Sequence, residues 1–278
     1  MNQAVKSNSG AGESRFLLGV SDFSTTEPLL NAEQIIGSGF DFIEPGLAKV
    51  AAMPEAEFKL ASARLKQNDI CVRSVNWFLP ADLKVVGPQV DLIKCRQFLE
   101  RALSRAVELG AAAVVFGSPN SRSIPDGFSA SDAREQVIDF CQLCATVISE
   151  NRWPIKIAVE HVNHTETNCM NTFAQALSLV REVDRAEIGL AADFYHFAIE
   201  NEPLDIMLEA KDLICAVQLA DPSDRCFPKP GVEINGLDEF LKNLVEIGYA
   251  GGVSIEANVR QDLATDCHSA AICLRTLI

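Results

Sequence analysis

The fold is decided by four short apolar stretches in the second half of the chain: IKIAVE (155–160), EIGLAAD (187–193), ICAVQLA (214–220) and GVSIE (252–256). Near-continuous apolar character over so few residues is typical of parallel strands that are buried on both faces of a sheet. Four similar stretches precede them: FLLGV from Phe16, FDFIE from Phe40, ICVRSV from Ile70 and AAVVFG from Ala112. The sequence therefore predicts eight strands of the same kind.

Segments with helical periodicity lie between the predicted strands. They cover Asn31–Ser38, Glu55–Gln67, Val90–Leu109, Ser131–Glu150, Thr172–Val183, Pro203–Ala210, Leu237–Ile247 and Ala264–Leu277. Glycines just past such segments, as at Gly110 and Gly248, are typical of helix ends. Alternating strands and helices predict parallel strands with right-handed crossovers, and eight such units in about 250 residues match a closed (β/α)8 barrel.

The predicted fold class is thus α/β, a (β/α)8 TIM barrel that forms a single domain over residues 15–278. Residues 1–14 are small and polar, and we expect them to form a flexible leader rather than an export signal. The alternative fold is an open doubly wound sheet, which would carry a glycine-rich phosphate loop after its first strand. The segment after Val20, SDFSTT, contains no such motif.

The charge composition excludes several classes of partner. The chain has 24 Lys and Arg residues against 38 Asp and Glu residues, a net charge of −14. Such a protein is repelled by nucleic acids and by anionic membranes, and no apolar run approaches the roughly 18 residues of a membrane span. We therefore expect a small-molecule partner and neither a nucleic acid nor a membrane.

Nine cysteines are scattered along the 278 residues. An odd, irregularly spaced set in a chain of this length indicates reduced thiols, most of them small core residues, and a cytoplasmic protein. Cys141 and Cys144 form a C-x-x-C pair. Because they lie inside a predicted helix and no second pair accompanies them, a zinc or redox role is disfavoured.

Oxygen-bearing side chains stand at the ends of the last four predicted strands: Glu160, Asp193, Gln218 and Glu256. In this barrel class, the active site is built at the carboxyl ends of the strands. Three carboxylates at one rim repel each other unless a cation holds them, and a hard divalent cation such as Mn²⁺ or Mg²⁺ prefers oxygen ligands. The alternative is that each acid caps the following helix or pairs with a Lys or Arg.

Four segments carry a family resemblance: IAVEHVNHTETN, GLAADFYHF, AVQLADPSDRCFPKPG and VSIE. They resemble the sugar isomerases and epimerases of the xylose isomerase-like TIM barrel superfamily, most closely the D-tagatose 3-epimerase and hydroxypyruvate isomerase group. The resemblance extends from about Phe16 to the end of the chain. It implies one divalent metal ion held by Glu160, Asp193, the Gln218 position and Glu256.

Gln218 departs from the family pattern. The family has H-x-H on the seventh strand, and its second His is a ligand, whereas this chain reads Ala216-Val217-Gln218. An amide oxygen also binds a hard cation, so the site is expected to survive with oxygen ligands alone. Loss of the imidazole favours Mn²⁺ or Mg²⁺ over softer metals such as Co²⁺ or Ni²⁺. The alternative is a degenerate site that holds metal weakly or not at all.

Glu160 and Glu256 are the predicted catalytic residues. Moving a proton next to a carbonyl needs a base on a face of the substrate and stabilisation of the enediolate charge, which a chelated metal supplies. Carboxylates on opposite sides of the barrel reach both faces of a ketose or keto-sugar derivative. The corresponding pair acts in this way in the family, so the resemblance implies a metal-dependent sugar isomerase or epimerase.

Four further residues are predicted to bind substrate: Glu166, His196, Arg225 and Trp77. Glu166 and His196 match family positions that contact the substrate, Arg225 follows the seventh strand, and Trp77 is placed to stack on a sugar face. Three of them have a structural alternative: Glu166 as a solvated acid, His196 as a backbone-bonded histidine and Trp77 as a packed aromatic side chain. Weaker candidates near the same rim are Glu44, Ser118, Arg122, His161 and His164.

Three function classes remain open at this point. The first is the isomerase or epimerase, the second a dehydratase or lyase that acts on a keto-inositol through the same enediolate, and the third a non-catalytic sugar-binding barrel, suggested by the missing His. The sequence does not choose between the first two, because both use the same metal and acids. The resemblance further implies a homo-oligomer.

Overall fold

The computed structural model describes residues 16–277, which contain nine parallel strands in one sheet. The predicted leader, residues 1–14, lies outside the described residues. Around the sheet the strands follow the order β3-β2-β1-β9-β8-β7-β6-β5-β4. Their bounds are β1 (Leu17–Ser21), β2 (Phe42–Glu44), β3 (Cys71–Val72), β4 (Ser74–Val75), β5 (Ala113–Phe116), β6 (Lys156–Glu160), β7 (Ile188–Asp193), β8 (Ile214–Leu219) and β9 (Gly252–Ile255).

The two edge strands of this order, β3 and β4, are halves of the single strand predicted from Ile70. They are separated only by Arg73, whose carbonyl oxygen still accepts a hydrogen bond from the amide of Ala112 at 2.8 Å. Because β3 pairs with β2 and β4 pairs with β5, the sheet closes on itself through this residue. The (β/α)8 TIM barrel is thus confirmed, with its third strand divided in two.

Eleven helices follow the strands within residues 16–277. They are α1 (Ala32–Gly37), α2 (Leu47–Ala52), α3 (Glu55–Gln67), α4 (Leu92–Leu109), α5 (Pro119–Arg122), α6 (Ala130–Asn151), α7 (Phe173–Val183), α8 (Phe194–Glu200), α9 (Ile206–Glu209), α10 (Leu237–Glu246) and α11 (Leu263–Arg275). Most of the predicted helices end within two residues of these bounds. The sequence prediction missed α2, α5 and α8, and the helix predicted over Pro203–Ala210 is reduced to the single turn of α9.

Successive side chains of each strand point to opposite faces of the sheet, as the pleated backbone requires. In β6, Ile157 and Val159 point outward into the main hydrophobic core, whereas Ala158 points into the barrel. Outside the sheet, the large aromatic side chains interlock, as where the rings of Phe116 and Phe140 lie 5.2 Å apart. Burying one such side chain contributes roughly 1.5–3 kcal/mol, so this outer layer is the main source of stability.

The barrel interior is filled at the amino-terminal side of the strands. The ring of Phe42 lies against Gly19 and Gly252, where a Cβ on either glycine would collide with it. A separate apolar cluster inside the barrel comes from β5–β8 and consists of Ala113, Val115, Ala158, Ala191 and Ala216. On β2, β6, β7 and β8 the next inward position is polar, so on these strands the interior turns from apolar to polar toward the carboxyl ends.

All nine cysteines are free, and only Cys71 is exposed, so the expectation of core thiols holds for most of them. Burial raises the pKa of Cys141 to about 12 and the pKa of Cys144 well above its usual value, which keeps both thiols protonated in α6. Across residues 16–277, no helix combines the length and the apolar character that crossing a bilayer would require.

Candidate active site

A cavity of about 260 Å³ opens at the carboxyl ends of the strands. Ligand pockets for drug-sized molecules occupy about 300–1,000 Å³, so this volume suits a compound of sugar size. Six of the predicted site residues line the cavity: Trp77, Glu160, Glu166, His196, Arg225 and Glu256. Asp193 and Gln218 are fully buried and do not line it.

Glu160 ends β6 and enters the cavity past Gly117. A Cβ at Gly117 would collide with Oε2 of Glu160, so a glycine is required for the close approach of this carboxylate. Oε1 of Glu160 is buried and has no hydrogen-bond partner among the described residues. Burial raises the pKa of Glu160 well above its usual value, and the neighbouring Glu256 and Asp193 add to the shift.

Asp193 has two roles because it ends β7 and begins α8. Its Oδ1 accepts a hydrogen bond from the amide of Tyr195 at 2.8 Å, which caps the helix. Its Oδ2 is buried without a hydrogen-bond partner in the described chain. Burial raises the pKa of Asp193 to about 7, with repulsion from Glu256 as the second cause. The cap therefore uses one oxygen and leaves the other available to a cation.

His196 lies on the first turn of α8, between the two carboxylates. Its Nε2 is 3.7 Å from Oε1 of Glu160 and 3.7 Å from Oδ2 of Asp193. Burial lowers the pKa of His196 well below its usual value, and the neighbouring His161 and Arg225 lower it further. The ring is therefore neutral at pH 7, and one of its nitrogens carries a proton.

Asn163 determines which ring nitrogen of His196 carries the proton. The backbone amide of Asn163 and its side-chain Nδ2 both point at Nδ1 of His196, at 3.3 and 2.8 Å. The amide orientation is fixed, because Oδ1 of Asn163 accepts from the backbone amide of Thr165 and Nδ2 also donates to Glu166. With two donors facing Nδ1, the proton of the neutral ring lies on Nε2. His196 thus presents an N–H group between Glu160 and Asp193.

Arg225 supplies the positive charge of the cavity. Its Nη2 lies 2.9 Å from Oε2 of Glu256, and its Nη1 lies 2.5 Å from Oε1 of Glu166. The guanidinium is held between the rings of Phe23 and Tyr195, at 4.3 and 4.4 Å from their centroids. The guanidinium of Arg225 therefore bridges Glu166 and Glu256, and the two aromatic rings fix its position.

Glu256 follows β9 and is bonded through both of its oxygens. Oε2 pairs with Arg225, and Oε1 accepts a hydrogen bond from Nδ2 of Asn76 at 3.0 Å. Burial raises the pKa of Glu256, although the guanidinium of Arg225 opposes the shift. Glu256 thus differs from Glu160, which has one oxygen without a hydrogen-bond partner and a pKa raised well above its usual value.

The donor set of this site fits a divalent cation. Three of the four predicted ligand residues each have a buried oxygen without a hydrogen-bond donor within residues 16–277: Oε1 of Glu160, Oδ2 of Asp193 and Oε1 of Gln218. Buried polar atoms normally have a partner, and a cluster of unpaired acceptors is the arrangement that a hard metal ion satisfies. Glu160, Asp193 and His196 bring their ligand atoms within 4.8 Å of one another. The proton on Nε2 of His196 makes that group a donor rather than a ligand.

The remaining candidates are distributed over and around the cavity. Trp77 lies at the rim with 49% of its surface exposed, and its ring centroid is 6.3 Å from that of Phe23. Ser118 lines the cavity wall. His164 points outward, where its Nδ1 lies 2.7 Å from Glu200.

Two candidates are buried away from any substrate. Arg122 is fully buried and donates to the carbonyl oxygens of Phe116 and Glu160, at 3.1 and 2.8 Å. His161 lies edge-on against the rings of Phe173 and Phe197, and burial lowers its pKa to about 3. Both residues support the wall behind Glu160 rather than face the cavity.

Sequence reasoning missed four residues that position the site. Asn163 orients His196, Asn76 donates to Glu256, and Phe23 and Tyr195 hold Arg225. Asn76 follows the third predicted strand, so its place at a strand end was a usable signal. For the two aromatic residues, no sequence pattern indicates the stacking.

A larger cavity of about 500 Å³ lies elsewhere, along α6 and α7. Its polar lining includes Arg134, Asn168 and Gln175, and it contains none of the clustered carboxylates. Size alone therefore does not locate the chemistry, and the smaller cavity at the strand ends is the candidate active site.

A closed (β/α)8 barrel with acids and a histidine at its carboxyl rim defines the class of this protein. The chain belongs to the xylose isomerase-like TIM barrel family, whose family model matches residues 33–276. This match covers almost all of the described barrel and confirms the family resemblance.

Curated relatives match over a shorter stretch. The chain is 33% identical over 129 residues to an inosose isomerase of Halalkalibacterium halodurans, which is 42% of this chain and 45% of that protein. It is 31% identical over 113 residues to a ketose 3-epimerase of Arthrobacter globiformis, 40% of this chain and 38% of that protein. The matches thus span less than half the length of these relatives.

Solved structures share the whole fold. A D-allulose 3-epimerase from Methylomonas sp. superposes with a TM-score of 0.80 at 21% identity, over 97% of this chain and all of that one. A 3-keto-D-glucoside 4-epimerase from E. coli gives a TM-score of 0.78 at 21% identity, over 94% of this chain and 99% of the other. At this identity the likeness establishes the barrel alone.

Proposed function

We propose that the protein is a divalent-metal-dependent isomerase or epimerase, which shifts a proton next to the carbonyl of a ketose or keto-sugar derivative. The observation that carries the proposal is that Glu160 and Glu256, from β6 and from the end of β9, line one cavity of about 260 Å³. Two carboxylates on different walls of a sugar-sized cavity are placed to act on opposite faces of one substrate. The names of the relatives agree with this class of reaction.

The ion would be held by Glu160, Asp193 and Gln218, whose unpaired oxygens are described above, with Glu256 as the predicted fourth ligand. Mn²⁺ or Mg²⁺ matches these oxygen donors best. When bound, it would polarise the substrate carbonyl and stabilise the negative charge that develops as the proton leaves.

The residues of the chain supply the remaining steps. Glu160 takes or returns the proton on one face, because its carboxylate lines the cavity and belongs to an acid type that acts in proton transfer. Glu256 takes or returns the proton on the other face, and Arg225 keeps it ionised. The Nε2–H of His196 donates to a substrate oxygen, and Glu166 and Arg225 orient hydroxyl groups.

Solvent exchange tests this proposal. The Mn²⁺-loaded protein is incubated in D₂O with a panel of ketoses and keto-inositols, and the products are followed by mass spectrometry and NMR. We expect deuterium at a single carbon next to the carbonyl, together with an epimer or isomer. A matched sample of the Asp193→Asn variant controls for background exchange. Absence of exchange and product across the panel would refute the proposal and leave a non-catalytic sugar-binding barrel.

Dehydration of a keto-inositol or related keto-sugar is the second candidate. It is favoured by the Nε2–H group of His196 beside Glu160, because this N–H would donate a hydrogen bond to a departing hydroxyl while Glu160 passes the abstracted proton to it, so that water leaves. A 3-dehydroshikimate dehydratase of Pseudomonas aeruginosa is also among the relatives, at 34% identity over 101 residues. The same panel separates the two reactions, because dehydration gives a product lighter by one water.

The proposal also covers the cellular location, the class of partner and the oligomeric state of the protein. Free thiols at all nine cysteines support a cytoplasmic location, where thiols stay reduced. The net charge of −14 supports a small-molecule substrate rather than a nucleic acid. A homo-oligomer is expected from the family resemblance, and light scattering on the purified protein tests it.

A further inference from the structure

A buried polar cluster lies inside the barrel, centred on Glu44 of β2. Four other strands each send one hydrogen-bonding side chain to its carboxylate; we call the group the Glu44 cluster, and its members are Ser21, Glu44, Ser74, Gln218 and Ser254. None of these five side chains lines the cavity, so Glu44 has no access to a substrate. Any effect of Glu44 on the cavity must therefore act through one of the residues that it contacts.

Every neighbour acts on Glu44 as a donor. Oε1 of Glu44 accepts from Oγ of Ser21 at 2.6 Å, from Nε2 of Gln218 at 2.6 Å and from Oγ of Ser254 at 3.1 Å. Its Oε2 accepts from Ser74. The serine hydroxyls rotate freely and could equally accept a bond, whereas the amide of Gln218 has a donor side and an acceptor side. Gln218 is thus the member whose orientation Glu44 controls.

The carboxylate excludes the flipped amide. If Gln218 were turned over, its Oε1 would face an oxygen of Glu44 at 2.6 Å, and two acceptors at that separation repel each other. Nε2 also faces Oγ of Ser21, at 3.3 Å. The nitrogen is therefore fixed on the Glu44 side, and the oxygen is fixed on the other side.

The oxygen thus fixed has no hydrogen-bond partner within residues 16–277, although Gln218 is fully buried. Gln218 is in register with Asp193 on the neighbouring strand, and paired residues of parallel strands share a face. The unpaired oxygen of Gln218 therefore belongs to the same inward face as the unpaired oxygen of Asp193.

We infer that Glu44 is a positioning residue, which holds the side-chain amide of Gln218 so that its oxygen and not its nitrogen faces the divalent cation. The inference rests on the proposed metal site. It explains how an amide can stand at a ligand position in this chain, since an unrestrained amide would present its N–H₂ group to the cation part of the time. Neighbours that orient a ligand commonly change metal affinity by about 10–100-fold when they are removed.

A double-mutant cycle on Mn²⁺ affinity tests the inference, measured by calorimetry and by the electron paramagnetic resonance of free Mn²⁺. Four proteins are compared: wild type, Glu44→Leu, Gln218→Leu and the double variant. We expect each single variant to bind Mn²⁺ about 10–100-fold more weakly. The double variant should bind no more weakly than Gln218→Leu, because Glu44 acts only through Gln218.

Two further variants guard against loss of folding. If Glu44→Leu does not fold, Glu44→Gln keeps the shape and a hydrogen bond to Gln218 but allows both amide orientations. Its Mn²⁺ affinity should fall about twofold or more, because half or more of the molecules then present the wrong side. Ser74→Ala is the matched control: it removes another bond to Glu44, leaves Gln218 in place, and should change the affinity less than Glu44→Gln does.

The outcomes separate the two proposals. Losses that add in the double variant, or an unchanged affinity in Glu44→Leu and Glu44→Gln, would overturn the role of Glu44 and leave the metal site standing. An unchanged affinity in Gln218→Leu would overturn it as well, because Gln218 would then not be a ligand. Failure of the wild-type protein to bind Mn²⁺ would instead overturn the metal dependence of the proposed function.

Discussion

The side-chain amide of Asn163 lies 2.8 Å from Nδ1 of His196, and its nitrogen faces the ring. This contact places the ring proton on Nε2, where it points between Glu160 and Asp193. The tautomer of a buried, neutral histidine is thus set by a residue that does not line the cavity. A prediction follows from the chemistry of that amide.

Asn163→Asp should reverse the tautomer. A carboxylate oxygen at the amide position attracts the proton to Nδ1, and Nε2 then becomes an acceptor facing two carboxylates. We expect turnover to fall by about 10² or more, as when a catalytic histidine is held in the wrong tautomer. The ¹⁵N shifts of the imidazole report the tautomer directly. Asn168→Asp, the same change in the same loop without contact to His196, should leave both readouts near wild type.

Glu160→Gln and Glu256→Gln should each lower turnover by at least about 10², because general acid or base catalysis contributes about 10²–10⁴. The two variants should differ. In an epimerisation, one of them still exchanges the substrate proton with solvent but fails to complete the inversion. Turnover and deuterium exchange are measured with Mn²⁺ content confirmed.

Glu187→Gln is the control for this pair, since it replaces an acid at the opposite end of the barrel. That side chain pairs with Arg185 at 3.3 Å and should leave turnover unchanged. Turnover near wild type in either catalytic variant would remove that residue from the proton-transfer role.

Gln218→His should change metal preference. An imidazole is the softer donor, so Co²⁺ or Zn²⁺ binding should tighten more than Mg²⁺ binding. The N–H of the second ring nitrogen can also donate a hydrogen bond to Glu44, which keeps the interior contact that the amide now makes. Calorimetric titration with the three metals measures the preference. An equal change for all of them, or none, would argue against a ligand at this position.

The pH dependence of stability should become shallower when metal is added. In the metal-free protein, the raised pKa of Asp193, about 7, lets the folded state hold a proton that the unfolded state releases near pH 4. Stability is therefore greater at low pH and falls as the pH rises from 5 toward 7. Mn²⁺ binds the ionised carboxylates, so its stabilising effect should grow over the same range.

Thermal melts at pH 5 to 8, with and without Mn²⁺, measure both trends. The Asp193→Asn variant is the control, because it cannot ionise at this position and should show a shallower slope without metal. A metal-free protein that becomes more stable between pH 5 and 7 would contradict the raised pKa of the buried acids.

Arg225→Gln should destabilise the fold. It would leave Glu256 buried without a cation, and breaking a buried pair by removing one partner costs about 3–5 kcal/mol. Urea unfolding measures the change, which bound Mn²⁺ should partly offset. Arg134→Gln removes an exposed pair with Glu182 and should cost about 0–1 kcal/mol. Equal effects of the two variants would show that Glu256 has another counter-charge.

The barrel was predictable because its strands are buried on both faces and stand out as apolar runs. Short helices were less accessible to sequence reasoning. Asp193 both ends β7 and caps α8, so no turn signal separates the two elements, and the aromatic segment from Phe194 does not show helical periodicity. The division of the third strand at Arg73 depends on the curvature of the closed sheet, which no local pattern encodes.

The site was predictable to the extent that strand ends meet at one rim. That rule alone brought Glu160 and Glu256 to one cavity. The contacts of Asn163 with His196 and of Glu44 with Gln218 join different strands and loops. They depend on side-chain conformations and on barrel closure, so the sequence named Glu44 only as a residue at the rim and gave Asn163 no role.

The ring of Phe42 lies between Gly19 and Gly252 and fills the interior of the barrel at the amino-terminal side of the strands. Among the described residues, this ring fills the amino-terminal side of the interior, so in the proposed function a sugar and water would both enter and leave at the carboxyl ends of the strands. In the proposed reaction, a proton taken from the substrate would exchange with water through this same opening. A sugar bound there would slow the exchange of the abstracted proton with solvent but would not return it to the same carbon, because the carboxylate on the opposite face supplies the new proton.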